Sequence, residues 1–193
     1  MKNRLNELVI SKIKPGDVLL HRGKNFIARQ IRVWMEKARK RMGLKSRTLY
    51  NHASIVVEIW GELWVVEAVA RGSHMIPLKK RLESKDKILV KTWVKPLTKK
   101  EVNSLSKKAV IFVGENHNYQ YSAFIFHIIK ITFGKWLGRK NIKAQHKINC
   151  TELVAIFMDY IRNCFEGKTY DISPLDIDLN KYLIKKEKLK FLK

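Results

Sequence analysis

Two eight-residue runs, His52–Ile59 and Glu62–Val69, are rich in Val, Ile and Trp and meet at Trp60-Gly61. An X-Gly pair between two β-prone runs predicts a two-residue hairpin turn, and such a turn fixes the strand register. Ile59 then faces Glu62, and Ser54 faces Glu67. Side chains alternate across a strand, so Glu67 shares a face with His52, one diagonal step away. Diagonal neighbours lie ~7–8 Å apart at the backbone, within reach of long side chains. Glu67 is therefore placed to accept the His52 N–H and to fix the tautomer of that ring. Its sequence neighbours are Val65, Val66, Ala68 and Val69. A carboxylate there needs either such a partner or an edge position that reaches water.

The rest of the chain builds around this hairpin. Pro15-Gly16-Asp17 is a turn, and Val18-Leu19-Leu20 after it reads as a buried strand. From Phe26 to Met42, Ile27, Ile31, Trp34, Met35, Ala38 and Met42 recur at helical spacing between Arg and Lys. This basic amphipathic helix suits either core packing or a membrane surface. Lys87–Val94 reads as a strand. Thr98, with Glu101 three residues on, opens a helix running to about Val113. A polar aromatic loop (Asn116–Tyr121), an apolar stretch to Phe133 and a basic loop (Gly134–Lys147) lead to a helix from Cys150. Leu153, Val154, Phe157, Met158 and Ile161 lie along one side of that helix. After Ser173-Pro174 the Lys-rich residues 181–193 read as a frayed tail. Strands, a helix and then a cysteine-bearing helix predict an α+β fold. No repeat or linker divides the chain, so 193 residues read as one domain, long enough to bury a core without disulfides or metal.

Cys150 stands at the first turn of its helix, where unsatisfied N–H groups and the positive dipole end favour a thiolate, the nucleophilic form. Taken alone, such a cysteine is more often buried and inert. It does not pair with Cys164, because fourteen residues of helix would separate the two by ~21 Å. A nucleophilic cysteine needs a base within hydrogen-bond reach and a group to orient that base. His52 projects from a rigid strand, whereas His21 and His74 lie near turns, His117 and His146 in loops, and His127 in an apolar stretch. No combination of them has metal-ligand spacing, and there is no Gly-rich phosphate loop, so neither metal nor cofactor is expected.

Forty Lys and Arg against 17 Asp and Glu give a net charge of +23. Such a field favours anionic partners, a membrane surface or an acidic polymer among them. It comes without any nucleic-acid module signature, so specific nucleic-acid binding is not expected. The N-terminal segment lacks the apolar run of a signal peptide, and no stretch reaches ~18 uncharged apolar residues. A cytoplasmic or peripherally membrane-bound protein is the expectation.

The segments His52-Ala53-Ser54-Ile55-Val56-Val57-Glu58, Val65-Val66-Glu67-Ala68-Val69 leading to Ile76-Pro77-Leu78, and Asn149-Cys150-Thr151-Glu152-Leu153 together resemble the circularly permuted NlpC/P60 papain-like proteins, the YiiX/YebB-like group. In ordinary members the cysteine helix precedes the histidine strand; here the hairpin comes first, as in the permuted branch. The resemblance implies an antiparallel sheet packed against a nucleophile-bearing helix. It also implies a Cys-His-Glu triad of Cys150, His52 and Glu67, and it turns the reading of Cys150 toward a reactive thiol. The family's Gly-x-Pro-Tyr pattern matches Gly114 and Tyr119, with Asn118 in place of Pro and a longer interval to the cysteine; Tyr119 would assist the oxyanion. The implied chemistry is hydrolysis of an amide bond, as by a peptidase or amidase on cell-wall-type peptides. A lipid-directed thioesterase or acyltransferase acting on lipid amides, or a non-catalytic basic module binding an anionic membrane or polymer, are the alternatives.

Overall fold

The computed structural model describes residues 11–23, 26–41, 43, 50–69, 71–84, 87–115, 117–119, 147–169 and 172–189. β1 (Val18–Arg22), β2 (His52–Ile59), β3 (Glu62–Val69), β4 (Gly72–Pro77), β5 (Lys87–Trp93) and β8 (Leu183–Leu189) form one antiparallel sheet, in the order β4-β3-β2-β1-β5-β8. The helices are α1 (Phe26–Arg41), α2 (Leu78–Leu82), α3 (Lys99–Gly114), α4 (Cys150–Arg162) and α5 (Pro174–Asp178). β6 (Asn118–Tyr119) and β7 (Lys147–Ile148) make a separate two-stranded parallel pair. This is the α+β architecture expected, with α3 and α4 packed on β2.

The hairpin register is the predicted one, from Ile55 opposite Val66 to Ile59 opposite Glu62. Trp60 (φ 51°) and Gly61 (φ 79°) both adopt left-handed backbone, as a tight hairpin turn matched to strand twist requires. Strand alternation then sorts the core in two. Val18, Leu20, Ala53, Ile55, Val57, Val66 and Ala68 pack with Leu105, Phe112, Leu153, Phe157 and Met158 of the helices. Leu19, Val56, Val65, Ile88 and Val90 face the other way, against Leu78 and Leu82 of α2. The larger cluster holds α4, and with it Cys150, against the central strands.

Thr98 caps α3 with the predicted box: its side chain accepts from Glu101 N–H while Glu101 accepts from Thr98 N–H. Arg162, at the end of α4, donates to that same Glu101 at 2.8 Å and lies over the Trp93 ring, so α3 and α4 are tied at one corner.

The C-terminal segment corrects the sequence reading. Residues 183–189 are not a frayed tail but an edge strand paired with β5. Leu183 is buried, and Val94 N–H donates to Tyr182 C=O as the strand begins. The abundant lysines had suggested solvation. They suit an edge strand equally well, because charged side chains there discourage pairing with another chain. β4 and α2 are likewise elements beyond the sequence reading. The apolar stretch to Phe133, the basic loop, His127 and His146 lie outside the described residues, as do the side chains of the α1 apolar stripe from Ile27 to Ala38 and Met42 at its end. Among the described residues, no helix is long and apolar enough to cross a membrane.

Candidate active site

The first turn of α4 is built by Asn149. Its Oδ1 accepts from Thr151 N–H at 3.0 Å and Glu152 N–H at 2.8 Å, and Glu152 returns a carboxylate oxygen to Asn149 N–H. This capping box satisfies two otherwise orphaned donors and fixes Cys150 as the first helical residue. Thr151 Oγ1 is also held, by the Ile172 carbonyl. Cys150 is only 6% exposed. Cys164 lies beyond the helix end, which Asn163 closes in left-handed conformation.

His52, at the start of β2, reaches both of its expected neighbours. Its Nε2–H donates to Glu67 Oε2 at 2.7 Å, and the ring hydrogen-bonds the Cys150 sulfur. Burial pushes the His52 pKa down, but the charge and hydrogen bond of Cys150, then those of Glu67, outweigh it and raise the pKa to about 10. Burial raises the Cys150 thiol; the His52 charge and hydrogen bond, with the Ala53 N–H, overcome this and bring it below its ordinary value. Both shifts favour the thiolate–imidazolium form of the pair. Burial also disfavours the Glu67 carboxylate, yet His52, Arg81 and His74 bring it down to about 2.

Three residues of this constellation were not singled out by the sequence. Arg81, from α2, donates through Nε to Glu67 Oε2 at 3.1 Å. His74 Nε2, directly across from Glu67 on β4, lies 3.5 Å from Oε1. His21 stands opposite His52 in the β1–β2 register, fully buried, with ring centroids 5.2 Å apart. Its Nε2 hydrogen-bonds Ser54 Oγ at 2.7 Å, while Nδ1 has no partner among the described residues. Burial, then Arg81 and His52, hold His21 well below the ordinary histidine range, so it is neutral.

The parallel pairing of Tyr119 with Ile148 brings the Tyr119 backbone beside the chain entering α4. Its side chain, and with it the expected oxyanion contact, lies outside the described residues.

The sequence showed no metal-ligand spacing, but folding assembles such a group across three strands. Among the described residues, donor atoms of His21, His52 and Glu67 all lie within 4.8 Å of one another. Two imidazoles and a carboxylate form a donor set suited to a divalent transition metal. The 2.7 Å between His52 Nε2 and Glu67 Oε2 is hydrogen-bond spacing. Metal bonds of ~2.0–2.2 Å at tetrahedral angles set ligand atoms ~3.3 Å apart. The residues thus fit a metal in kind, and hold a proton at the distance observed.

Residues 12–156 match the family described as permuted papain-like amidase enzyme, YaeF/YiiX, C92. Among solved structures the chain is similar to one titled metalloprotein yiiX from Escherichia coli O157:H7, at 16% identity and a TM-score of 0.52, over 92% of this chain and 98% of that one. At this identity the likeness is one of fold. No curated protein matches the chain.

Proposed function

The chain belongs to the permuted papain-like amidases of the YaeF/YiiX, C92 family, and on that premise we propose that it cleaves amide bonds in acidic, cell-wall-type peptides through Cys150, His52 and Glu67. The observation that carries this reading is one ring: His52 bonds the Cys150 sulfur on one side and Glu67, 2.7 Å away, on the other.

In this mechanism the Cys150 thiolate attacks the amide carbonyl. The Asn149 cap occupies the N–H groups of Thr151 and Glu152 and leaves that of Cys150 to stabilise the developing oxyanion, with Tyr119 as the candidate second donor. His52, already protonated, gives its proton to the leaving nitrogen, and the C–N bond breaks to leave a thioester on Cys150. Neutral His52 then takes a proton from water, the resulting hydroxide attacks the thioester, and the acid departs as the thiolate reforms. Glu67 keeps the ring oriented and stabilises its cation. The +23 charge of the chain would draw acidic peptides toward the site.

Incubation with acidic peptide amides, N-acyl lipid amides and lipid thioesters, read by mass spectrometry, tests this. The expected result is preferential cleavage of the peptide amides, a thioacyl adduct on the Cys150 peptide in quenched samples, and loss of both in Cys150→Ala. Turnover surviving in Cys150→Ala would refute the cysteine mechanism. Turnover confined to lipid substrates would refute the substrate class.

A further inference from the structure

We propose that His21, His52 and Glu67 also form a reversible site for a divalent transition metal, which takes the place of the proton between His52 and Glu67. The site rests on geometry and is independent of the hydrolase reading above.

The hydrolase mechanism gives His21 no task, yet the fold gives it a costly position. It is fully buried, its ring lies beside that of His52, and Nδ1 has no partner among the described residues. A buried polar nitrogen without a partner is a penalty that folded proteins rarely leave standing. The nitrogen belongs to the one residue that completes a three-ligand group with His52 and Glu67. Imidazole and carboxylate together suit Zn²⁺, Co²⁺ or Cu²⁺ rather than Mg²⁺ or Ca²⁺, which prefer oxygen alone.

The exchange balances without redox chemistry. The ion binds His52 Nε2 and a Glu67 oxygen, the N–H bond of His52 Nε2 breaks, and one proton leaves to solvent. Ligand atoms now 2.7 Å apart must separate by about 0.6 Å to reach tetrahedral metal spacing. Arg81 opposes the ion, because its guanidinium sits 3.1 Å from the same Glu67 oxygen. That repulsion makes the site reversible rather than permanent. With the metal bound, His52 has lost the proton that faced Glu67 and keeps its hydrogen bond to Cys150.

The test uses full-length protein stripped with chelator and titrated with ZnCl₂ by calorimetry, and with CoCl₂ by visible and X-ray absorption. One equivalent of zinc with release of about one proton is expected, since a bound imidazole gives up its proton. Cobalt should show two imidazole ligands and no sulfur. Cys150→Ala should retain binding, and His21→Ala or His21→Gln should weaken it at least tenfold. Absence of saturable binding at millimolar zinc, sulfur in the cobalt shell, or binding lost in Cys150→Ala would overturn the site. The absorption measurement on the unsubstituted protein decides the matter even if the His21 variants fail to fold. Alkylation of Cys150 separates the two claims. Slow alkylation of the metal-free protein counts against the hydrolase reading and leaves the binding test standing.

Discussion

The thiolate–imidazolium pair makes a prediction from which solvent access cancels. A cysteine at its ordinary value of 9.0 is ~0.1% thiolate at about pH 6 and ~9% at about pH 8, so its alkylation accelerates about 90-fold between them. Cys150, brought below that value by His52 and the Ala53 N–H, should accelerate far less over the same interval. Because the rates are compared within one protein, the slow entry of reagent to a sulfur that is only 6% exposed drops out of the ratio. The assay is iodoacetamide labelling with peptide mapping. Cys164 serves as the internal control, because burial and Asp159 push its thiol up to about 11 and its rate should climb throughout. His52→Ala should return Cys150 to the steep profile of an ordinary thiol. The pair holds until His52 loses its proton near pH 10, above which the rate should step upward. A 90-fold rise at Cys150 in the unsubstituted protein would refute the ion pair, and with it the proposed first step.

Glu67→Gln removes the carboxylate that faces His52, Arg81 and His74. A fall from 4.5 to about 2 is worth about 3 kcal/mol at ~1.4 kcal/mol per unit, an upper figure for the stability lost at neutral pH. Since the folded value is the lower one, this contribution is present above about pH 4.5 and disappears as pH falls through about 2. Urea melts should therefore show a large deficit for Glu67→Gln at neutral pH and little near pH 2; a constant deficit would show that the loss is steric. Asn149→Ala, which frees the Thr151 and Glu152 N–H groups, should cost about 1–2 kcal/mol in the same melts. It should also slow Cys150 alkylation; an unchanged rate would mean the cap does not position the sulfur. A chain ending at Asn180 loses β8 and exposes the β5 edge, so it should aggregate or unfold at lower denaturant; an unaltered monomer by scattering and melt would restore the frayed-tail reading.

The hairpin was legible because a two-residue turn and the two-residue period of a strand leave no freedom of register. That is why the sequence alone aims Glu67 at His52. Thr98 and Glu101 were legible for a similar reason, as a capping box is local chemistry. His21 was not legible. It meets His52 across β1 and β2, strands joined through α1 rather than by a tight turn, so no local rule sets their register. Arg81 was hidden differently. It lies in a basic run, Lys79–Lys91, that reads as solvated surface, yet the short α2 turns this one member onto Glu67 while Lys79 and Lys80 stay exposed. Burial of a charge is decided by the helix face it occupies, which composition averages away.

The charges inside the site explain why so many ionisable groups can be buried together. The Cys150 thiolate and Glu67 carboxylate stand against the His52 imidazolium and the Arg81 guanidinium, two anions and two cations, with His21 neutral. Each charge has an opposite partner in hydrogen-bond contact, the condition under which buried ions are tolerated. Neutrality also explains the direction of each shift. Protonating His21 would add a third cation beside His52 and Arg81, and protonating Glu67 would leave Arg81 without its anion. In a chain of net charge +23, the surrounding field favours the anionic members of the set. The thiolate is thus held by the helix start and His52 at short range, and by the whole molecule at long range. Added salt screens the second effect but not the first, so Cys150 ionisation should be nearly salt-independent while capture of an acidic substrate is not.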